Sequence, residues 1–134
     1  MKTLLSLILI FSCKGHTFDH QWRFPAVTGQ YKGQVVTADE LGAHFEVVAR
    51  KKKIKIYIHD FAMKPQAVSS FTVLAKTQVG TKENQVELPL KARGDFFEAD
   101  FAPKGVKKYD LYLAVKNNKN SKEDLLKYTI KTRH

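Results

Sequence analysis

From residue 33 onward, apolar side chains recur at every second position in short runs that polar clusters interrupt. Residues 43–49 place Phe45, Val47 and Ala49 on one face and His44, Glu46 and Val48 on the other. Ile54, Ile56 and Ile58 then alternate with Lys55, Tyr57 and His59. A period of two is that of a strand with one buried face, whereas a helix repeats every 3.6 residues. Six further runs read as strands: Gln34-Val35-Val36, Phe71-Thr72-Val73-Leu74-Ala75, Val86 with Leu88 and Leu90, Phe96 to Phe101, Tyr109 with Leu111, Leu113 and Val115, and Leu126 with Tyr128 and Ile130. Turn-forming clusters at 39–42, 63–66, 80–84, 103–105 and 117–121 separate them. About 7–8 short strands at near-regular spacing predict an all-β fold, an antiparallel β-sandwich of the immunoglobulin-like kind, over residues 33–134. Ser121-Lys122-Glu123-Asp124 offers a competing local choice, a capped short helix ahead of Leu125.

The pattern changes at the N-terminus. Met1-Lys2 precedes an apolar run from Leu4 to Phe11, too short for a membrane-spanning helix, which needs ~20 apolar residues. Residues 1–13 therefore read as a secretory signal peptide. Leu9-Ile10-Phe11-Ser12-Cys13 resembles a bacterial lipobox, which implies lipidation of Cys13 and a membrane attachment through the lipid anchor. The competing reading is ordinary cleavage after Gly15, with Cys13 discarded. Lys14 after the cysteine resembles the outer-membrane sorting pattern. An exported protein is expected, either periplasmic or an outer-membrane-anchored lipoprotein. Residues 14–32, with Pro25 and Gly29, show no clear period and read as a tether or an irregular lead-in strand.

A chain of 134 residues, 43% of them hydrophobic, can bury a core that needs no cross-links. With Cys13 as its one cysteine it forms no intramolecular disulfide. Lys and Arg number 23 against 13 Asp and Glu, a net charge of +10 that favours polyanionic neighbours. The densest run, Arg50-Lys51-Lys52-Lys53, falls at a predicted turn and reads as a solvated loop. Gly-rich phosphate loops, Gly-x-Ser-x-Gly, Cys-x-x-Cys and His-Glu-x-x-His are all absent from the sequence, and a non-enzymatic protein is expected.

Histidine is the residue type with chemical promise. Aligning the apolar faces of the 43–49 and 54–59 runs pairs Phe45 with Ile58, Val47 with Ile56 and Ala49 with Ile54, around a 50–53 loop. In that register His44 lies opposite His59; a one-residue slip would expose a whole apolar face, whereas a two-residue shift keeps the faces and leaves the histidines diagonal or unpaired. Directly opposed Cβ atoms are ~5 Å apart, within reach of a shared metal ion. Asp60 and Met63 follow closely, and a thioether beside imidazoles suits copper. His16 and His20 lie on the lead-in segment, where they can fold over such a site; His134 reads as a frayed terminus. The ordinary alternative is that the two sheet histidines are surface residues and Met63 plugs one end of the sandwich.

Gly33-Gln34-Val35-Val36, Ala43-His44-Phe45-Glu46-Val47-Val48, Ile56-Tyr57-Ile58-His59-Asp60 and Lys64-Pro65, together with Glu87-Leu88-Pro89-Leu90 and Gly94-Asp95-Phe96-Phe97-Glu98-Ala99, are similar to a small periplasmic β-sandwich domain associated with bacterial heavy-metal (copper-type) efflux adaptor systems. The resemblance implies copper binding or an efflux-accessory role beside a membrane-fusion or adaptor protein. The family's opening His-Gly-Gly is replaced here by Tyr31-Lys32-Gly33, so a histidine that would join His44 is missing. The expected metal ligands are His44, His59, Met63 and His20. The competing function is a structural or adhesive module that docks its basic surface to a membrane-protein complex or an envelope polyanion, without metal. Nucleic acid is not an expected partner.

Overall fold

The structure, a computed structural model, describes residues 22–25, 27–50, 52–80 and 84–132. Two sheets pack face to face. One holds five strands in the order β1 (Trp22–Arg23), β11 (Glu123–Lys131), β10 (Lys108–Asn117), β6 (Phe71–Gln78) and β7 (Gln85–Leu88). The other holds six: β2 (Val27–Thr28), β3 (Gln34–Ala38), β4 (Ala43–Arg50), β5 (Lys53–His59), β9 (Phe96–Asp100) and β8 (Lys91–Ala92). Every pairing is antiparallel except that of β1 with β11. The all-β sandwich expected from the period-two pattern is the fold observed.

The eight strands read from alternation are β3 to β7 and β9 to β11. The three additional strands, β1, β2 and β8, have two residues each and are too short to alternate. β1 pairs with β11 in one sheet and β2 with β3 in the other. The short helix considered at Ser121 does not form. Ser121 has φ of 61°, a left-handed turn conformation, and the side-chain oxygens of Asn117 and Asn120 accept from the amides of Lys119 and Lys122. These local bonds satisfy the turn and release the chain into β11.

The core lies between the sheets. Phe45, Ile54, Ile56 and Ile58 from one meet Leu111, Leu113, Leu126 and Tyr128 from the other, all fully buried. Phe45 and Phe71 meet edge to face across the layers with centroids 5.6 Å apart. The Tyr128 hydroxyl donates to the Phe45 carbonyl at 2.7 Å, a buried bond that fixes β11 against β4. A second, smaller apolar cluster covers the outer face of the five-stranded sheet, where Trp22 and Leu74 pack on Ala114 and Leu125.

Two buried phenols make the sandwich sensitive to alkali. Burial pushes Tyr109 up to about 12 and Tyr128 well above its ordinary value. In the unfolded chain both titrate near 10. Protons are therefore released on unfolding above that pH, so the stabilisation is complete below pH ~10 and is lost as pH rises toward the folded value. Tyr109 alone accounts for roughly 2 kcal/mol lost by about pH 11.5. Urea titrations should show this decline, and Tyr109→Phe should flatten it by that amount. A stability equally steep in the variant would contradict the assignment.

Candidate metal site under a glycine-bounded strap

β4 and β5 pair in the register expected from their apolar faces: His44 opposes His59, Phe45 opposes Ile58, Glu46 opposes Tyr57, and Val48 opposes Lys55. The alternation that sends Phe45, Ile56 and Ile58 into the core sends His44, Glu46, Tyr57 and His59 to the outer face of the sheet. An outer face normally meets water, yet Glu46 is 0% and His59 1% exposed.

A turn over residues 29–33 covers them. Gly29 N–H donates to the Gly33 carbonyl and Lys32 N–H to that of Gly29, with Lys32 at φ of 63°. This strap presses its backbone onto Glu46. The amides of Tyr31 and Gly33 donate to Glu46 Oε2 at 2.9 and 2.7 Å. A Cβ on Gly29 would lie 2.2 Å from the Glu46 carboxyl carbon, so glycine is what permits this approach. The Tyr31 ring then lies on Tyr57, with centroids 4.0 Å apart and planes inclined by 21°.

The other carboxylate oxygen holds the histidine: His59 Nε2 lies 3.0 Å from Glu46 Oε1. As Oε1 is an acceptor, Nε2 carries a proton and donates. His59 Nδ1 is buried and, among the described residues, has no hydrogen-bond partner. A proton there would be an orphaned buried donor, a costlier condition than an idle lone pair. Geometry therefore assigns His59 the Nε2–H tautomer with the Nδ1 lone pair unused. Across the ladder, His44 Nδ1 lies 2.8 Å from the hydroxyl of Thr37, its register partner on β3, and the Phe61 ring meets the imidazole edge-on at 5.5 Å.

The loop after β5 is closed by its acid. Asp60 Oδ1 accepts from the amides of Ala62 and Lys64, both at 2.9 Å. Its carboxylate thus closes the 60–64 turn, the usual work of an aspartate two and four residues ahead of free amides. Met63, at φ of 63°, receives a bond from Gln30 Nε2 on its carbonyl at 2.7 Å, which ties this loop to the strap. His20, His16, Cys13 and His134 lie outside the described residues. Among those described, no group of three or more His, Cys, Asp or Glu side chains converges as a metal cage.

Glu46 is the residue that period-two reading left without a role. Its signal was indirect: two glycines four positions apart, flanking an aromatic, in a segment with no strand pattern.

No protein-family model matches the chain, and no curated protein matches it. Among solved structures it is similar to the crystal structure of "as isolated" FetP from a uropathogenic E. coli strain, recombinantly expressed in the periplasm of E. coli. That match has a TM-score of 0.51 at 10% identity and covers 75% of this chain and 93% of that one. What the two chains share, at that identity, is the β-sandwich fold.

Proposed function

We propose that this chain is a non-enzymatic, exported β-sandwich that holds a soft transition-metal ion, copper, through His44 and His59. The observation that carries the reading is the idle, buried Nδ1 lone pair of His59, whose opposite nitrogen is fixed by a carboxylate. Metal-binding imidazoles characteristically donate their second N–H to a carboxylate or carbonyl, which selects the tautomer and raises ligand basicity. His44 lies directly across the ladder, with its Nδ1 engaged by Thr37 and, among the described residues, no hydrogen bond at Nε2.

Two imidazoles with no third charged ligand suit a cuprous ion, which accepts few, soft donors; the Met63 thioether, on the loop that follows His59, is a candidate for a third. His20 is a further candidate on the segment preceding the strap. Bound copper needs no redox or hydrolytic partner for a carrier or efflux-accessory role beside a membrane-fusion or adaptor protein. Export fits the signal-like N-terminus, with Cys13 as the lipid attachment point. It is in keeping with the production in the periplasm of FetP, whose fold is similar.

The test is a cuprous-ion titration of the chain lacking residues 1–13, in competition with a chromophoric chelator. One equivalent should bind. His44→Ala, which removes a half-buried side chain and leaves Glu46 paired, should weaken binding by about tenfold or more while the circular dichroism spectrum is unchanged. Wild-type affinity in His44→Ala and in His59→Gln would remove the site.

A further inference from the structure

The outer face of the six-stranded sheet continues beyond the strap into a groove of about 560 Å³. Four cations line it: Lys32 from the strap, Arg50 from the end of β4, and Lys53 and Lys55 from β5. Among the described residues, no carboxylate does. Its floor is Val48 and the stacked rings of Tyr31 and Tyr57. Within the basic run that reads as a solvated loop in sequence, Arg50 and Lys53 are register partners that both line the groove.

Local pairing neutralises only part of this charge. Lys53 bonds Asp100 at 3.0 Å and lies 3.9 Å from Glu98, and Asp100 is the main reason its ammonium is held above the ordinary lysine range. Glu98 is also shared with Arg93, 3.4 Å away. Lys55 rests over the Phe96 ring at 5.2 Å, and Arg50 reaches only the Tyr31 carbonyl at 3.4 Å. Among the described residues no carboxylate lies within ion-pair distance of Lys32, Arg50 or Lys55. Although Glu98 is the register partner of Lys55, three cations without a contact ion pair around one concavity hold a field that a multiply charged anion would relieve.

The aromatic floor narrows the ligand. Tyr31 is 42% exposed and has one face against Tyr57, so the pair presents a single flat platform. Single-stranded nucleic acid is held by a series of such platforms on which successive bases stack. One platform ringed by cations instead suits one ring that carries several anionic groups. We infer that this groove binds a sugar ring bearing two or more phosphate or sulfate groups, whose C–H face lies on Tyr31 while Lys32, Arg50 and Lys55 take the anions. The site is distinct from His44 and His59 and does not depend on a bound metal ion.

Calorimetric titration of the metal-free chain with glucose 1,6-bisphosphate and with a sulfated oligosaccharide tests this. Both should bind and weaken with added salt, whereas neutral sucrose should not bind. Tighter binding of the oligosaccharide places the ring in a polymer; comparable binding of both places it in a free sugar phosphate. Arg50→Gln with Lys55→Gln should weaken both by about tenfold or more, and Tyr31→Leu by about fivefold, from the loss of the platform. Lys116→Gln with Lys131→Gln, on the other sheet, should change nothing. Equal losses from the two double variants would reduce the effect to net charge and overturn the site. An octathymidylate that bound tenfold more tightly than either sugar would overturn the ligand assignment.

Discussion

Glu46→Ala is expected to destabilise the domain by about 4 kcal/mol, whereas Glu46→Gln costs about 1–2 kcal/mol yet abolishes copper binding. The alanine variant removes the acceptor of three donors at once: the amides of Tyr31 and Gly33 and the His59 imidazole. These groups are buried or half-buried beneath the strap, and each unsatisfied donor costs about 1–3 kcal/mol. Glutamine keeps the oxygen that the strap amides use but turns an N–H toward His59. The imidazole must then accept at Nε2, which moves its proton to Nδ1. That exchange blocks the lone pair assigned to the metal while the sandwich and strap persist. Chemical denaturation gives the stabilities, and the chelator competition gives the affinity. A glutamine variant that bound copper normally would show that Glu46 secures the strap alone and does not set the tautomer. An alanine variant as stable as wild type would show that water replaces the carboxylate, contrary to its burial.

Nearly all of the sandwich was legible because its long strands each carry several alternations, and matching apolar faces leave few registers open. The pairing of His44 with His59 followed from that matching together with a short connecting loop: a one-residue slip would have turned a whole apolar face to water, and only the loop length favoured this register over those shifted by two. The burial of the outer face was not legible. Alternation assigns Glu46 and His59 to the side away from the core, and it carries no information on whether a distant segment returns to cover them. The covering strap is held by backbone amides on one carboxylate, a pairing that leaves no periodic trace. The work of Asp60 was hidden for a related reason. An acid near histidines satisfies the chemistry of a ligand, but the amides of Ala62 and Lys64 are nearer and already free. Local backbone donors engage one oxygen of a short carboxylate whatever else lies near it. Likewise, the cations of the groove are contributed by a strap and by two strands, and their common concavity appears only once β4 and β5 are side by side.

Gly33→Ala is the sharper test of how the strap is seated. A Cβ there would lie 2.3 Å from the Val47 carbonyl oxygen and 2.8 Å from a Val48 methyl. The obstacle is backbone, so no rotamer change relieves it. Either β3 retreats from β4, where Gln34 pairs with Val47, or the turn lifts off the sheet. Overpacking of this kind costs about 1–3 kcal/mol, and a lifted turn would add the loss of the Gly33 amide's bond to Glu46. A total near 3–4 kcal/mol is expected, read as a fall in the urea midpoint at unchanged slope. Gly105 provides the comparison. It has φ of 67° and open space where its Cβ would lie, so Gly105→Ala should cost only about 1 kcal/mol of backbone strain. Equal costs at the two positions would mean that the strap yields without resistance. In that case both the enclosure of His59 and the tyrosine platform of the anion groove would lack the rigid support that the glycines, Glu46 and Gln30 otherwise give them.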